Sequence, residues 1–155
     1  MGNSFFKPNK LLINKECLFS DTLTTLPSTL SILFKPAFKI LIVEDNELNM
    51  KLFFDILTYQ KYEVEKAYDG IEAYEKIKNN NYDLMILDIQ LPKMDGFTLL
   101  KKIKAENLSS PRTIITSACA MDSDKQKAKE FNINDYITKP IDINNFINIV
   151  KSYLS

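Results

Sequence analysis

The strongest constraint in this sequence is a repeat of pattern. From Lys39 onward, short apolar runs alternate five times with stretches of helical spacing. Residues 40–43, 63–67, 82–87, 113–116 and 136–138 read as strands, the second and last more thinly. Between them, 46–59 places Leu48, Leu52 and Ile56 on one helical face with Phe53 beside them. Residues 71–78 carry Ile71, Tyr74 and Ile77, with a Glu72–Lys76 pair outside, and 97–106 repeats at Phe97, Leu100 and Ile103. Residues 123–131 form a polar helix with a weak apolar face at Ala128 and Phe131. Asp142 then caps a last helix, with Phe146, Val150 and Tyr153 inward and Ile147 and Leu154 flanking. Near-continuous apolar strands suit a parallel sheet buried on both faces. The prediction is an α/β fold: a doubly wound five-stranded parallel sheet with helices on both faces.

Ahead of this region no clean period appears, and Pro8, Pro27 and Pro36 interrupt any long element. The expected division is an N-terminal extension over 1–38, flexible or weakly ordered, and one domain over 39–155. The extension carries four basic and two acidic residues, too weak a bias to predict nucleic-acid or membrane binding.

Composition removes several classes of function. The 20 basic and 20 acidic residues cancel, which argues against a large polybasic surface and a nucleic-acid partner. No histidine is present, so histidine triads, histidine metal sites and a histidine base are excluded. Cys17 and Cys119 have no metal-binding or redox spacing and read as free thiols, as expected of a cytoplasmic protein. No run of 18 apolar residues predicts a spanning helix.

The stretch "YDLMILDIQLPKMDG" (82–96) raises the functional question, because its apolar run ends in Asp88. In doubly wound sheets, active groups collect at the carboxyl ends of the strands. There the sequence puts Glu44 and Asp45, Asp88, Thr116 and Ser117, and Lys139 before Pro140. Each alone has a bland reading: Asp88 as a turn residue, Glu44–Asp45 as a helix cap, Lys139 as a solvated lysine. Together they place three carboxylates, a hydroxyl and an ammonium in one crevice. Close carboxylates stay ionised together only beside a cation. An all-oxygen donor set suits Mg²⁺ or Mn²⁺, and Mg²⁺ commonly completes its shell with water and phosphate oxygens. A carboxylate can act as a nucleophile and form an aspartyl-phosphate, and Asp88 is the best placed. Pro92 and Gly96 bracket a tight turn, and a cis bond at Lys139–Pro140 would hold the lysine in another.

These residues carry a resemblance. "ILIVEDNELNMKLF" (40–53), "AYDG" (67–70), "YDLMILDIQLPKMDG" (82–96), "SACAM" (117–121) and "YITKPI" (136–141) resemble, in order and spacing, the receiver domain of bacterial two-component response regulators. Within that family the chain most resembles DivK-type single-domain regulators of cell-cycle signalling. The resemblance implies a flavodoxin-like receiver fold with Asp88 as phosphoacceptor. It implies Asp45 as a direct Mg²⁺ ligand, Glu44 as its water-linked neighbour, and Gln90 as the position whose backbone carbonyl binds the metal. It makes Lys139 the phosphate-facing lysine, Ser117 the switch hydroxyl, and Tyr136 the aromatic that reports phosphorylation. Thr116 stays open as the alternative to Ser117. Gln90 and Cys119 fall where they would tune the lifetime of the adduct.

The implied activity is Mg²⁺-dependent transfer from a partner phosphohistidine to Asp88, reset by the domain's own hydrolysis. This is self-catalysed chemistry rather than metabolic catalysis. The implied partners are a sensor histidine kinase or a histidine phosphotransfer protein. With no effector domain expected after the final helix, output would be protein binding by a monomer or weak dimer without membrane insertion. The main alternative is a degenerate receiver that binds proteins without phosphorylation. A phosphatase of related architecture is disfavoured because Gln90, not a second aspartate, follows Asp88 by two. A nucleotide-binding protein is disfavoured because no glycine-rich phosphate loop follows the first strand.

Overall fold

A computed structural model of the chain describes residues 38–118, 121–133 and 135–155. The expected extension over 1–38 lies, apart from Phe38, outside the described residues. From Phe38 on, the elements follow in strict alternation: β1 (Lys39–Val43), α1 (Glu47–Tyr59), β2 (Glu63–Ala67), α2 (Gly70–Asn79), β3 (Leu84–Asp88), α3 (Gly96–Ala105), β4 (Arg112–Ser117), α4 (Asp122–Glu130), β5 (Tyr136–Thr138) and α5 (Ile143–Leu154). All strand pairs are parallel, in the order β2-β1-β3-β4-β5. The fold is the doubly wound, flavodoxin-like sheet that the sequence predicts.

Period-two alternation sorts the strand residues onto two faces. Ile40, Ile42, Leu84, Ile86, Ile114 and Ile137 pack with α1 and α5, where the Phe53 and Phe146 rings meet at 5.0 Å. Leu41, Val43, Met85, Leu87 and Ile115 pack with α2, α3 and α4. The central strands β1 and β3 are buried almost throughout. Edge strand β2 (EVEKA) is charged and half-buried, which discourages pairing with another sheet.

Strand order reverses between β1 and β3. The chain leaves β1 for β2 on one side, then crosses to β3 on the other. The crevice above the carboxyl ends of β1 and β3 is therefore the topological switch point, where ligands of such sheets bind.

Three apolar faces differ from expectation. On α2, Ile71 is exposed and Ala73 joins Tyr74 and Ile77 in the buried stripe. On α1 the buried stripe is Met50, Phe53 and Leu57, while Leu48 is 79% exposed. Leu48, Leu52 and Ile56 also follow a helical spacing, but the larger Phe53 turns its own side of the helix to the core. On α5, Leu154 is buried and Tyr153 only half-buried, because the Tyr153 hydroxyl donates to the Asp135 carboxylate at the rim. The boundary of β3 moves too: Asp83 precedes the strand, and its carboxylate accepts the Lys39 N–H at 2.7 Å.

Helices α1, α3 and α4 end alike without glycine. Lys61, Asn107 and Asn132 take positive φ angles of 68°, 52° and 59° just past the caps. The next residue in each case donates back to the last turn, as in Tyr62 N–H to Leu57 C=O at 3.2 Å.

Candidate functional site

The charged groups of the site come from the ends of β1, β3 and β5. The Glu44 N–H donates to the Ala67 carbonyl at 3.1 Å, which extends the β1–β2 ladder by one residue and fixes Glu44. Asn46 then caps α1, its Oδ1 accepting the N–H groups of Leu48 at 3.0 Å and Asn49 at 3.1 Å. Glu44 is buried. Its Oε1 accepts from the Asn46 N–H at 3.3 Å and the Asn49 amide at 3.2 Å, and its Oε2 accepts from Lys139 Nζ at 2.7 Å. Asp88 ends the central strand β3. Its Oδ1 accepts from the Gln90 N–H at 2.8 Å, and its Oδ2 accepts from Lys139 Nζ. Lys139 follows β5, donates its N–H to the Ser117 carbonyl at 2.8 Å, and precedes a cis bond to Pro140. Only 17% of the Lys139 side chain is exposed, far from the solvated lysine of its bland reading.

Glu44, Asp45 and Asp88 each offer an oxygen, and these atoms lie within 4.8 Å of one another. Asp45 is exposed and opens the cluster to solvent. Burial pushes the Glu44 carboxyl above its usual range, and the Lys139 ammonium offsets this only partly. Burial pulls Lys139 the other way, but hydrogen bonds to Asp88 and Glu44 outweigh it and hold the ammonium more basic than usual. One ammonium faces three carboxylates, so negative charge remains uncompensated. A hard divalent cation with oxygen ligands fits that set.

Alternation along β4 separates the two candidate hydroxyls. Ser117 is buried and continues the face of Ile115, which neighbours Tyr136 in register. Tyr136 opens β5 half-buried and packs on the α2–α4 side. Thr116 continues the face of Ile114 and Ile137. It stands directly across from Asp88, yet its buried hydroxyl has no hydrogen-bond partner among the described residues. Gln90 is exposed and reaches Asp88 through its N–H. Cys119 lies outside the described residues.

Asn49, Gly70, Asp69 and Lys93 also hold this site without a role in the sequence pattern, and Gly96 does more than end a tight turn. Asn49 anchors Glu44; its three-residue spacing from Asn46 was the available signal. Gly96 and Gly70 mark close backbone contacts. A Cβ at Gly96 would stand 2.7 Å from the Asp88 carbonyl oxygen, and one at Gly70 would stand 2.2 Å from that of Met94. Lys93 pairs with Asp69 at 2.5 Å across 24 residues, and neither residue type predicts the other.

Comparisons with known proteins agree with this geometry. The model of the response regulator receiver domain matches residues 40–151. The polar-differentiation response regulator DivK of Brucella ovis is 40% identical over 116 residues, covering 74% of this chain and 94% of that protein. The DivK of Brucella anthropi is 39% identical over the same length and shares. Among solved structures, a CheY-like receiver domain protein from Methanospirillum hungatei superposes with a TM-score of 0.70 at 29% identity, covering 77% of this chain and 94% of that one. The CheX–CheY–BeF3–Mg complex from Borrelia burgdorferi gives 0.70 at 32%, covering 76% and 90%. A doubly wound sheet with an acidic cluster at its switch point, matched by that family model over most of its length, makes this chain a member of the response regulator receiver family, similar to DivK.

Proposed function

We propose that this protein accepts a phosphoryl group on Asp88 from a phosphohistidine of a sensor kinase or histidine phosphotransfer protein, and passes the signal on by protein contact. The observation that carries this reading is the convergence of Glu44, Asp45, Asp88 and Lys139 at the switch point. A CheY relative is described in complex with BeF3 and Mg, which supports the same chemistry here.

In the proposed reaction an Asp88 oxygen attacks phosphorus as the phosphorus–nitrogen bond of the donor breaks, and the imidazole leaves with the electron pair. Glu44, Asp45, Asp88 and the Gln90 carbonyl would hold Mg²⁺. When bound, the ion neutralises the carboxylates and the charge developing on the phosphoryl oxygens. Lys139 already contacts Asp88 and Glu44, so its ammonium is preplaced to receive a phosphoryl oxygen without a long movement. The Gln90 N–H orients the acceptor carboxylate.

Ser117 is the better switch hydroxyl, since it shares a face with Tyr136, whereas Thr116 sits on the opposite face. Attraction of Ser117 toward the phosphoryl group opens room for Tyr136 to turn inward, and the surface of α4, β5 and α5 shifts in population. Intact-mass measurement with acetyl phosphate, with and without Mg²⁺, tests the reading. It predicts a Mg²⁺-dependent gain of one phosphoryl group in the wild type and none in Asp88→Asn. No gain with acetyl phosphate, and no binding of beryllofluoride with Mg²⁺, would replace it with a phosphorylation-independent binding module.

A further inference from the structure

The turn after Asp88 is held from outside the site. Asp69 caps α2 with one oxygen, accepting the N–H groups of Ile71 at 2.9 Å and Glu72 at 2.8 Å, while its other oxygen accepts from Lys93 Nζ at 2.5 Å. Lys93 sits in the left-handed region at φ 64°, where a residue with a long side chain is disfavoured against glycine or asparagine. A residue that defies local preference signals a tertiary demand. The same turn is closed by Gly96 N–H to Ile89 C=O at 3.0 Å and by the close approach of Gly70 to Met94. It therefore meets α2 by backbone contact and by one ion pair, and Gln90 lies inside it.

We propose that Asp69 and Lys93 form a positioning pair for the Asp88 centre. The pair fixes the path of residues 89–95, and with it the aim of the Gln90 N–H at Asp88, the affinity for Mg²⁺ and the rates of phosphoryl gain and loss. The proposal rests on Asp88 as the acceptor. Loss is hydrolysis: a water oxygen attacks phosphorus, the bond to the Asp88 oxygen breaks, the carboxylate leaves, and the water proton passes to phosphate or solvent. The pair touches none of these atoms and acts through the turn.

The test compares the wild type with Asp69→Asn, Lys93→Met, the double variant and Lys93→Arg. Asparagine retains the α2 cap, and Lys93 is 64% exposed, so the fold persists in at least the Lys93 series. Hydrogen exchange of the Gln90 amide is read without metal, Mg²⁺ affinity by calorimetry, and uptake from acetyl phosphate by mass. Each single variant is expected to speed Gln90 exchange, weaken Mg²⁺ binding and slow uptake by about fivefold, an ordinary size for coupled neighbours. The double variant should be no worse than either single one, and Lys93→Arg should restore the wild-type values. Unchanged Gln90 exchange, or a double variant that multiplies two independent effects, would overturn the proposal. If the wild type takes up no phosphoryl group at all, the acceptor reading fails instead, and the exchange measurement still judges the pair.

Discussion

Replacing Thr116 with valine should stabilise the protein and leave phosphoryl uptake intact. Thr116 is fully buried in β4, with its hydroxyl unpartnered among the described residues. A buried hydroxyl without a hydrogen bond costs about 1–3 kcal/mol. Valine has nearly the same shape and an equal liking for strands, and its extra methyl gains about 0.8 kcal/mol by burial. Repacking against Ile114 and Ile137 absorbs part of this, so a net gain of about 1–2 kcal/mol is expected. Urea unfolding in metal-free buffer would show a higher midpoint with an unchanged slope. The same variant should gain a phosphoryl group at the wild-type rate, while Ser117→Ala slows or uncouples the response. A loss of stability in Thr116→Val would mean that the hydroxyl has a partner. A loss of uptake would move the switch hydroxyl from Ser117 to Thr116.

Three further outcomes follow from local geometry. Lys61→Gly relieves a left-handed lysine after α1 and should raise stability by about 1 kcal/mol, measured by urea titration; no change would mean that Lys61 bears no strain. Gly96→Ala forces a methyl group against the Asp88 carbonyl and Ile89 Cα, and should cost about 2 kcal/mol or more and slow uptake at least tenfold. A folded, fully active Gly96→Ala protein would refute the close approach. The Lys93 hydrogen bond, then the Glu72 N–H, hold the Asp69 carboxyl below its ordinary 3.8. A depressed carboxylate stabilises the fold above its unfolded pKa and loses that contribution as pH falls through the folded one. The stability gap between wild type and Asp69→Asn should thus be full near neutral pH and close as the pH drops below about 4, whereas a pH-independent gap would contradict the pairing.

Elements and site were legible to different depths. Strand ends could be read because buried parallel strands are continuous apolar runs, and the charged residues at the ends of β1, β3 and β5 meet at the switch point. Asp88 and Lys139 emerged that way. Helix faces were harder. Both Leu48–Leu52–Ile56 and Met50–Phe53–Leu57 fit a helix, and only packing against Ile40, Ile42 and Phe146 decides between them. The proposed preference for Ser117 over Thr116 rests on strand register, since neighbours in a strand face opposite ways and one residue of slip exchanges them. The Asp69–Lys93 pair was not legible at all: it depends on how the turn after β3 passes the start of α2, a contact between segments far apart in sequence.

The most direct test of the central claim is to locate the phosphoryl group. Protein treated with acetyl phosphate and Mg²⁺ would be reduced with borohydride, which converts an acyl phosphate to the corresponding alcohol, and then mapped by peptide mass spectrometry. Phosphorylation of Asp88 should yield homoserine at position 88 and nowhere else, dependent on Mg²⁺ and absent from Asp88→Asn. Reduction at Asp45 or Glu44, or an adduct at Asp88 that forms equally well without divalent metal, would contradict it.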